Sequence, residues 1–207
     1  MSFIVKITTL LNPLDLLAPH SCRGCGIIGK PLCECCENYI LKHHCNYKSI
    51  CSIGKRDKLL AKIIHDYKYD SVRALEKPLA EMLAKTLPEV SGKVIIVPLP
   101  TIPKHVRERG FDHTRLIAKR LAKICGWSTD FLLTRNKNTV QVGSDKKTRL
   151  KQAKEAYSIK KNSKTDPSAT YILFDDVLTT GASMKAAKKK LQDAGASRII
   201  ECVLAVS

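Results

Sequence analysis

Apolar positions along this chain follow two different periods. From Asp57 onward Leu59, Leu60, Ile63, Ile64 and Tyr67 recur at helical spacing, which predicts an amphipathic helix. A second helix is expected from Val72 to Leu87, closed by Pro88. A third runs from Phe111 to Cys125, with Leu116, Ile117, Leu121 and Ile124 apolar and Gly126 at its end. Short, mostly apolar runs read as strands: Lys93–Val97, stopped by Pro98, then Phe131–Leu133, Tyr171–Phe174 and Arg198–Val206. A loop carrying two more prolines is expected after Pro98. Strand–helix alternation after residue 92 predicts an α/β fold, a parallel sheet flanked by helices.

The run Tyr171–Phe174 leads into the most informative stretch. Two adjacent carboxylates, Asp175 and Asp176, end the strand; Val177 and Leu178 follow, then Thr179-Thr180-Gly181-Ala182-Ser183 and a helical segment, Met184–Ala194. Acids held at a strand tip can grip vicinal hydroxyls, and backbone N–H groups at a helix N-terminus can surround a phosphate. Gly181 allows close backbone approach, while Thr179, Thr180 and Ser183 add hydroxyl donors. The layout suits a sugar that carries a phosphate; the plainer alternative is a strand, an acidic turn and a Ser-capped helix.

Cysteine placement adds a second site. Seven of the nine cysteines fall between Cys22 and Cys51, and Cys125 and Cys202 lie in apolar contexts as candidate core residues. Cys22-x-x-Cys25 and Cys33-x-x-Cys36 have zinc-ribbon spacing, and four thiolates satisfy a closed, structural tetrahedral zinc site. Such a site would let a segment too short to bury its own core fold. Cys35 is an alternative ligand, Cys45 and Cys51 remain open, and His43 and His44 read as a solvated pair. A redox dithiol is the competing reading.

The formal net charge of +17 changes the picture of partners. Residues 135 to 164 contain ten Lys or Arg against Asp145 and Glu155, and Lys104 to Lys123 contains seven against Glu108 and Asp112. Such fields attract polyanions, although solvated lysines are the ordinary alternative. At 5% aromatic residues, few rings are on hand to stack on single strands. Lys6, Asn12, Pro13 and Asp15 interrupt the apolar N-terminus, so neither a signal peptide nor a membrane span is expected, and a cytoplasmic location is.

Read together, the acid motif resembles the phosphoribosyl-pyrophosphate (PRPP) signature of type I phosphoribosyltransferases. That resemblance implies that Asp175 and Asp176 bind the ribose hydroxyls as the catalytic acids. It also implies that Thr179, Thr180, Gly181, Ala182 and Ser183 hold the 5-phosphate, with Mg²⁺ accompanying PRPP. The Arg109-Gly110-Phe111 step resembles a pyrophosphate loop, which assigns Arg107 and Arg109 to the leaving group; an Arg-rich turn is otherwise only solvated.

The wider pattern resembles the ComF family, which joins an N-terminal zinc ribbon to a phosphoribosyltransferase domain. It consists of the paired cysteines, Leu60–Tyr69, Val97–Pro100, Arg107–Asp112, Gln141–Gly143, Arg149-Leu150 and the acid signature. Gln152, Glu155 and Tyr157 depart from that family where it commonly has Asn, Gly and Phe. The expected organisation is a leader and zinc-ribbon domain over residues 1–50 and a phosphoribosyltransferase domain over 51–207. The resemblance implies a role in natural competence with single-stranded DNA. As protein partner it implies a ComFA-like, helicase-like ATPase or another DNA-processing protein. An enzyme of nucleobase salvage and a non-catalytic adaptor are the alternatives, and the sequence names no acceptor.

Overall fold

The computed structural model describes residues 20–44, 49–70, 72–136, 156–161 and 163–207. The leader, Cys45, Gln141–Gly143, Arg149-Leu150, Gln152 and Glu155 lie outside the described residues.

Five strands form one parallel sheet: β3 (Ile50–Lys55), β4 (Val94–Pro98), β5 (Ser128–Thr129), β8 (Thr170–Leu178) and β9 (Arg198–Val206), in spatial order β3-β9-β8-β4-β5. The helices packed on it are α2 (Lys58–Lys68), α3 (Glu76–Ala84), α5 (His113–Cys125) and α6 (Ala182–Asp193). A short antiparallel pair, β6 (Leu133–Arg135) with β7 (Tyr157–Ile159), packs beside α6. The small N-terminal unit holds β1 (His20–Ser21) paired with β2 (Ile28–Gly29), followed by α1 (Glu34–Lys42). A parallel five-stranded sheet with flanking helices, joined to a small N-terminal unit that carries the cysteine cluster, is the α/β architecture expected from the sequence.

Both faces of the sheet are covered, which is why its central strands read as continuous apolar runs. Side chains alternate between the two cores. Val94, Ile96, Ile172, Phe174, Cys202 and Leu204 pack under α2, α3 and α5. Ile95, Val97, Tyr171, Leu173 and Val203 pack under α6 and the β6–β7 pair. Cys22, Leu32, Cys36 and Ile40 join the first core, so the ribbon shares it with α2 and α3.

Several boundaries differ from expectation. The second helix begins as a 3₁₀ turn at Arg73–Leu75 and ends at Ala84, while the third starts at His113 because Asp112 caps it, accepting from the Arg115 N–H at 3.2 Å. The expected strand at Phe131–Leu133 is displaced to Leu133–Arg135, where β7 supplies a partner. The predicted proline loop contains a further helix, α4 (Pro103–Arg109), with Pro103 in its first turn. Strand β3, which periodicity does not mark, covers the edge of β9. Cys202 is fully buried as expected, but Cys125 is only half-buried. No helix among the described residues is long and apolar enough to cross a membrane.

Candidate active site and metal centre

The chain leaves the sheet in opposite directions on either side of β4 and β8. From β4 it passes through α5 to β5 at one edge; from β8 it passes through α6 to β9 on the other side. A crevice must open between the carboxyl ends of these two strands, the position where open α/β sheets take ligands. A cleft of about 260 Å³ lies there. Its floor holds Asp175 and Asp176 from β8; Arg109 and His113 come from α4 and α5, Lys68 from the end of α2, and Ser183 from the start of α6.

The two acids are in different electrostatic states. His113 Nε2 lies 2.5 Å from Asp176 Oδ2, and Lys68 Nζ lies 2.5 Å from the same oxygen. Arg109 Nη1 donates to His113 Nδ1 at 2.6 Å. Because arginine only donates, Nδ1 must be the acceptor, which leaves the proton on Nε2 to be given to Asp176. Burial opposes ionisation of Asp176, but the His113 hydrogen bond and the Lys68 charge outweigh it and hold the carboxyl below the usual range. Asp175 Oδ1 accepts the Asp176 backbone N–H at 2.8 Å, and the Lys68 charge also favours its ionised form, but both are outweighed. Burial first, and then the neighbouring Asp176 charge, push its carboxyl up to about 7.

Beyond the acids the chain turns through Thr179–Ser183. Asp175, Val177, Leu178 and the five turn residues line a small concavity of about 50 Å³ at the head of α6. Gly181 has φ +73°, the left-handed backbone that starts the helix. Thr179, Thr180 and Ser183 are exposed. Ser183 lines both the concavity and the cleft, so sugar-sized and phosphate-sized spaces are contiguous.

The structure brings Asp175, Asp176, Ser183 and Arg109 together around the cleft and does not bring Arg107 there; Arg107 is exposed. Residues two apart on a helix point to different sides, so only one of the two arginines can face the acids. Residue patterning did not pick out Lys68, Tyr69, His113, Arg135 and Tyr157, all of which line the cleft. Arg109 lies over the Tyr69 ring at 5.3 Å, and Arg135 Nη1 donates to the Tyr157 hydroxyl at 3.2 Å. Lys68 and Tyr69 follow directly on the apolar stripe of α2 and His113 follows its own helix cap, which is the one local signal that they sit at element ends.

At the ribbon, the sulfurs of Cys22, Cys25, Cys33 and Cys36 lie within 4.8 Å of one another. Four thiolates on a tetrahedral zinc would stand about 3.8 Å apart, so the set fits that ion. Cys35 is exposed and Cys51 is buried in β3; neither joins the cluster. A Cβ added at Gly24 would fall 2.6 Å from Cys36 Sγ, so the first knuckle needs glycine there. Burial raises the Cys22 thiol, but the backbone N–H groups of Cys25, Cys33 and Gly24 outweigh it and bring it down to about 6. Burial and the neighbouring thiols push Cys36 up. Four thiols this close can all ionise only around a cation, which is the chemistry a zinc ion would supply.

No protein-family model matches the chain. Over 189 residues it is 25% identical to Competence protein F of Haemophilus influenzae, covering 86% of this chain and 81% of that protein. The chain is similar to a competence protein. This agrees with the ComF-like reading of its motifs. Solved structures that it matches include the glutamine PRPP amidotransferase of B. subtilis, at 18% identity and a TM-score of 0.42 over 62% of this chain. The chain spans a quarter of that amidotransferase, 25% of its length. The adenine phosphoribosyltransferase of Thermoanaerobacter pseudethanolicus matches at 15% identity and a TM-score of 0.43, covering 66% of this chain and 83% of that one. That of Saccharomyces cerevisiae matches at 17% identity and a TM-score of 0.40, covering 84% and 90%.

Proposed function

We propose that this protein binds PRPP in the cleft between β4 and β8 and acts as a phosphoribosyltransferase-fold component of natural transformation, in the cytoplasm. The observation that carries the reading is the convergence, at one switch point, of two strand-tip acids, a cationic wall and a turn of backbone N–H groups at a helix start. Asp175 and Asp176 hold the ribose hydroxyls. The turn Thr179–Ser183 receives the 5-phosphate at the positive end of α6. Lys68 and Arg109 face the anionic leaving group, Arg109 with a fork suited to pyrophosphate oxygens. The His113 and Lys68 contacts both fall on Asp176 Oδ2. The carboxylate pair offers the hard oxygen donors that Mg²⁺ prefers, and when bound the ion would neutralise charge on the pyrophosphate. The acids act by positioning and by stabilising a cationic sugar. A structural zinc at Cys22, Cys25, Cys33 and Cys36 completes the ribbon.

Calorimetry with PRPP and Mg²⁺ tests this. The Asp175→Asn, Asp176→Asn double variant should remain folded and lose binding; unchanged affinity overturns the reading. Release of pyrophosphate against a panel of bases separates an active transferase from an adaptor.

The nucleic-acid part of the reading rests on charge. The exposed Arg115 and Lys119 on α5 and the half-buried Lys160 beyond β7 lie 4.6, 5.8 and 5.9 Å from the Phe131 ring, a cluster of three cations around one aromatic side chain. Binding of single-stranded DNA should weaken steeply with salt, and no binding at low salt removes this part.

A further inference from the structure

The first cysteine knuckle is fastened by polar contacts to the helix that delivers Lys68. Arg23 stands between Cys22 and Cys25. Its Nε donates to Asp66 Oδ2 at 2.8 Å, and its Nη2 lies 3.5 Å from Asp70 Oδ2. Lys62 closes the contact from the other side, donating at 2.7 Å to both the Arg23 carbonyl and Asp66 Oδ2. The Asp66 side chain is only 5% exposed. His65, Asp66 and Asp70 are grouped closely enough to suggest a metal site, but Arg23 and Lys62 already engage the two carboxylates.

Apolar packing of Cys22, Leu32, Cys36 and Ile40 against the core of α2 and α3 docks the ribbon as well. The polar contacts converge on the last turn of α2. Two residues beyond Asp66, Lys68 reaches Asp176 at 2.5 Å, and Tyr69 meets Arg109 at 5.3 Å. A change in the pitch or rotation of that turn moves the ammonium off the acid.

We propose that Arg23 is a positioning residue for the cleft: held by the metal knuckle on one side and by Asp66 on the other, it sets the end of α2 so that Lys68 meets Asp176. The ribbon is then a strut of the sugar site as well as an appendage. The inference rests on the reading of the cleft as a PRPP site.

A double-variant cycle on the full chain tests it. PRPP with Mg²⁺ is titrated into the wild type, Arg23→Ala, Lys68→Ala and the double variant, and zinc content is measured alongside. Arg23→Ala should keep its zinc and weaken PRPP by about tenfold. In the Lys68→Ala background the same change should add nothing, and Arg23→Lys should restore part of the affinity. If Arg23→Ala does not fold, Asp66→Asn runs the same cycle from the other side of the contact. Full affinity in Arg23→Ala, losses that simply add, or loss of zinc each overturn the inference alone. A wild type that fails to bind PRPP overturns the reading of the cleft, and this inference with it.

Discussion

Replacing Asp175 by asparagine should stabilise the ligand-free protein, and should do so more at pH 8 than at pH 5. The Asp175 carboxyl is pushed from its ordinary 3.8 up to about 7 by burial and by Asp176. A group whose folded pKa lies above its unfolded value binds more protons when folded. Its contribution therefore falls as pH rises from about 3.8 to about 7 and is flat above that. This shifted titration lowers stability by about 4 kcal/mol at pH 8, where the fold must ionise the group, and by about 2 kcal/mol at pH 5, where only the unfolded chain does, with water penetration making both upper bounds. Asparagine keeps the Oδ1 that accepts the Asp176 N–H at 2.8 Å and removes the charge. Urea denaturation of both proteins at the two pH values isolates this group, because the other titrations cancel in the difference. The gap between variant and wild type should widen by about 2 kcal/mol from pH 5 to pH 8. A gap that is the same at both values refutes the reasoning.

Three further outcomes follow from the same geometry. If metal-assisted sugar binding requires Asp175 charged, binding of PRPP with Mg²⁺ at pH 6 should release about one proton and at pH 8.5 almost none, read by calorimetry in two buffers of different ionisation enthalpy. Gly24→Ala drives a Cβ to 2.6 Å from Cys36 Sγ, and should reduce zinc retention and cost roughly 1–3 kcal/mol of stability in thermal melts. Gly181→Ala, at φ +73°, should cost about 1–2 kcal/mol and weaken PRPP binding more than it lowers the melting temperature.

Elements with a strong local pattern were legible in the sequence, and those defined by a distant partner were not. The α2 stripe appears as a helix with Asp57 as its cap, and the β8 run as a fully buried strand, since burial on one stripe or on both faces leaves a periodic trace. Strand β3 mixes small and polar residues with Gly54 and exists because β9 needs an edge partner. Helix α4 has no buried residue, so no apolar stripe announces it. At the site, the acids and the turn that follows them are contiguous and readable. His113 reaches Asp176 from 63 positions away, a closeness only the folded sheet creates. Arg107 and Arg109 look equivalent in the sequence, and helical rotation separates them.

The different states of two adjacent aspartates follow from the pleat of β8. Residues 172 and 174 face the layer of α2, α3 and α5, and residues 171 and 173 face the layer of α6, β6 and β7. Carried two positions further, the alternation sends Asp176 towards the first layer, where α2 ends in Lys68 and α5 begins with His113. Asp175 is sent to the second, where Tyr157 and Ser183 stand, and the charges of Lys68 and Arg135 do not offset burial and the neighbouring Asp176 charge. A slip of one residue in the register of β8 would exchange the two environments. The strand therefore sets one readily ionised acid beside the cationic wall and one that resists ionisation beside the turn at the head of α6.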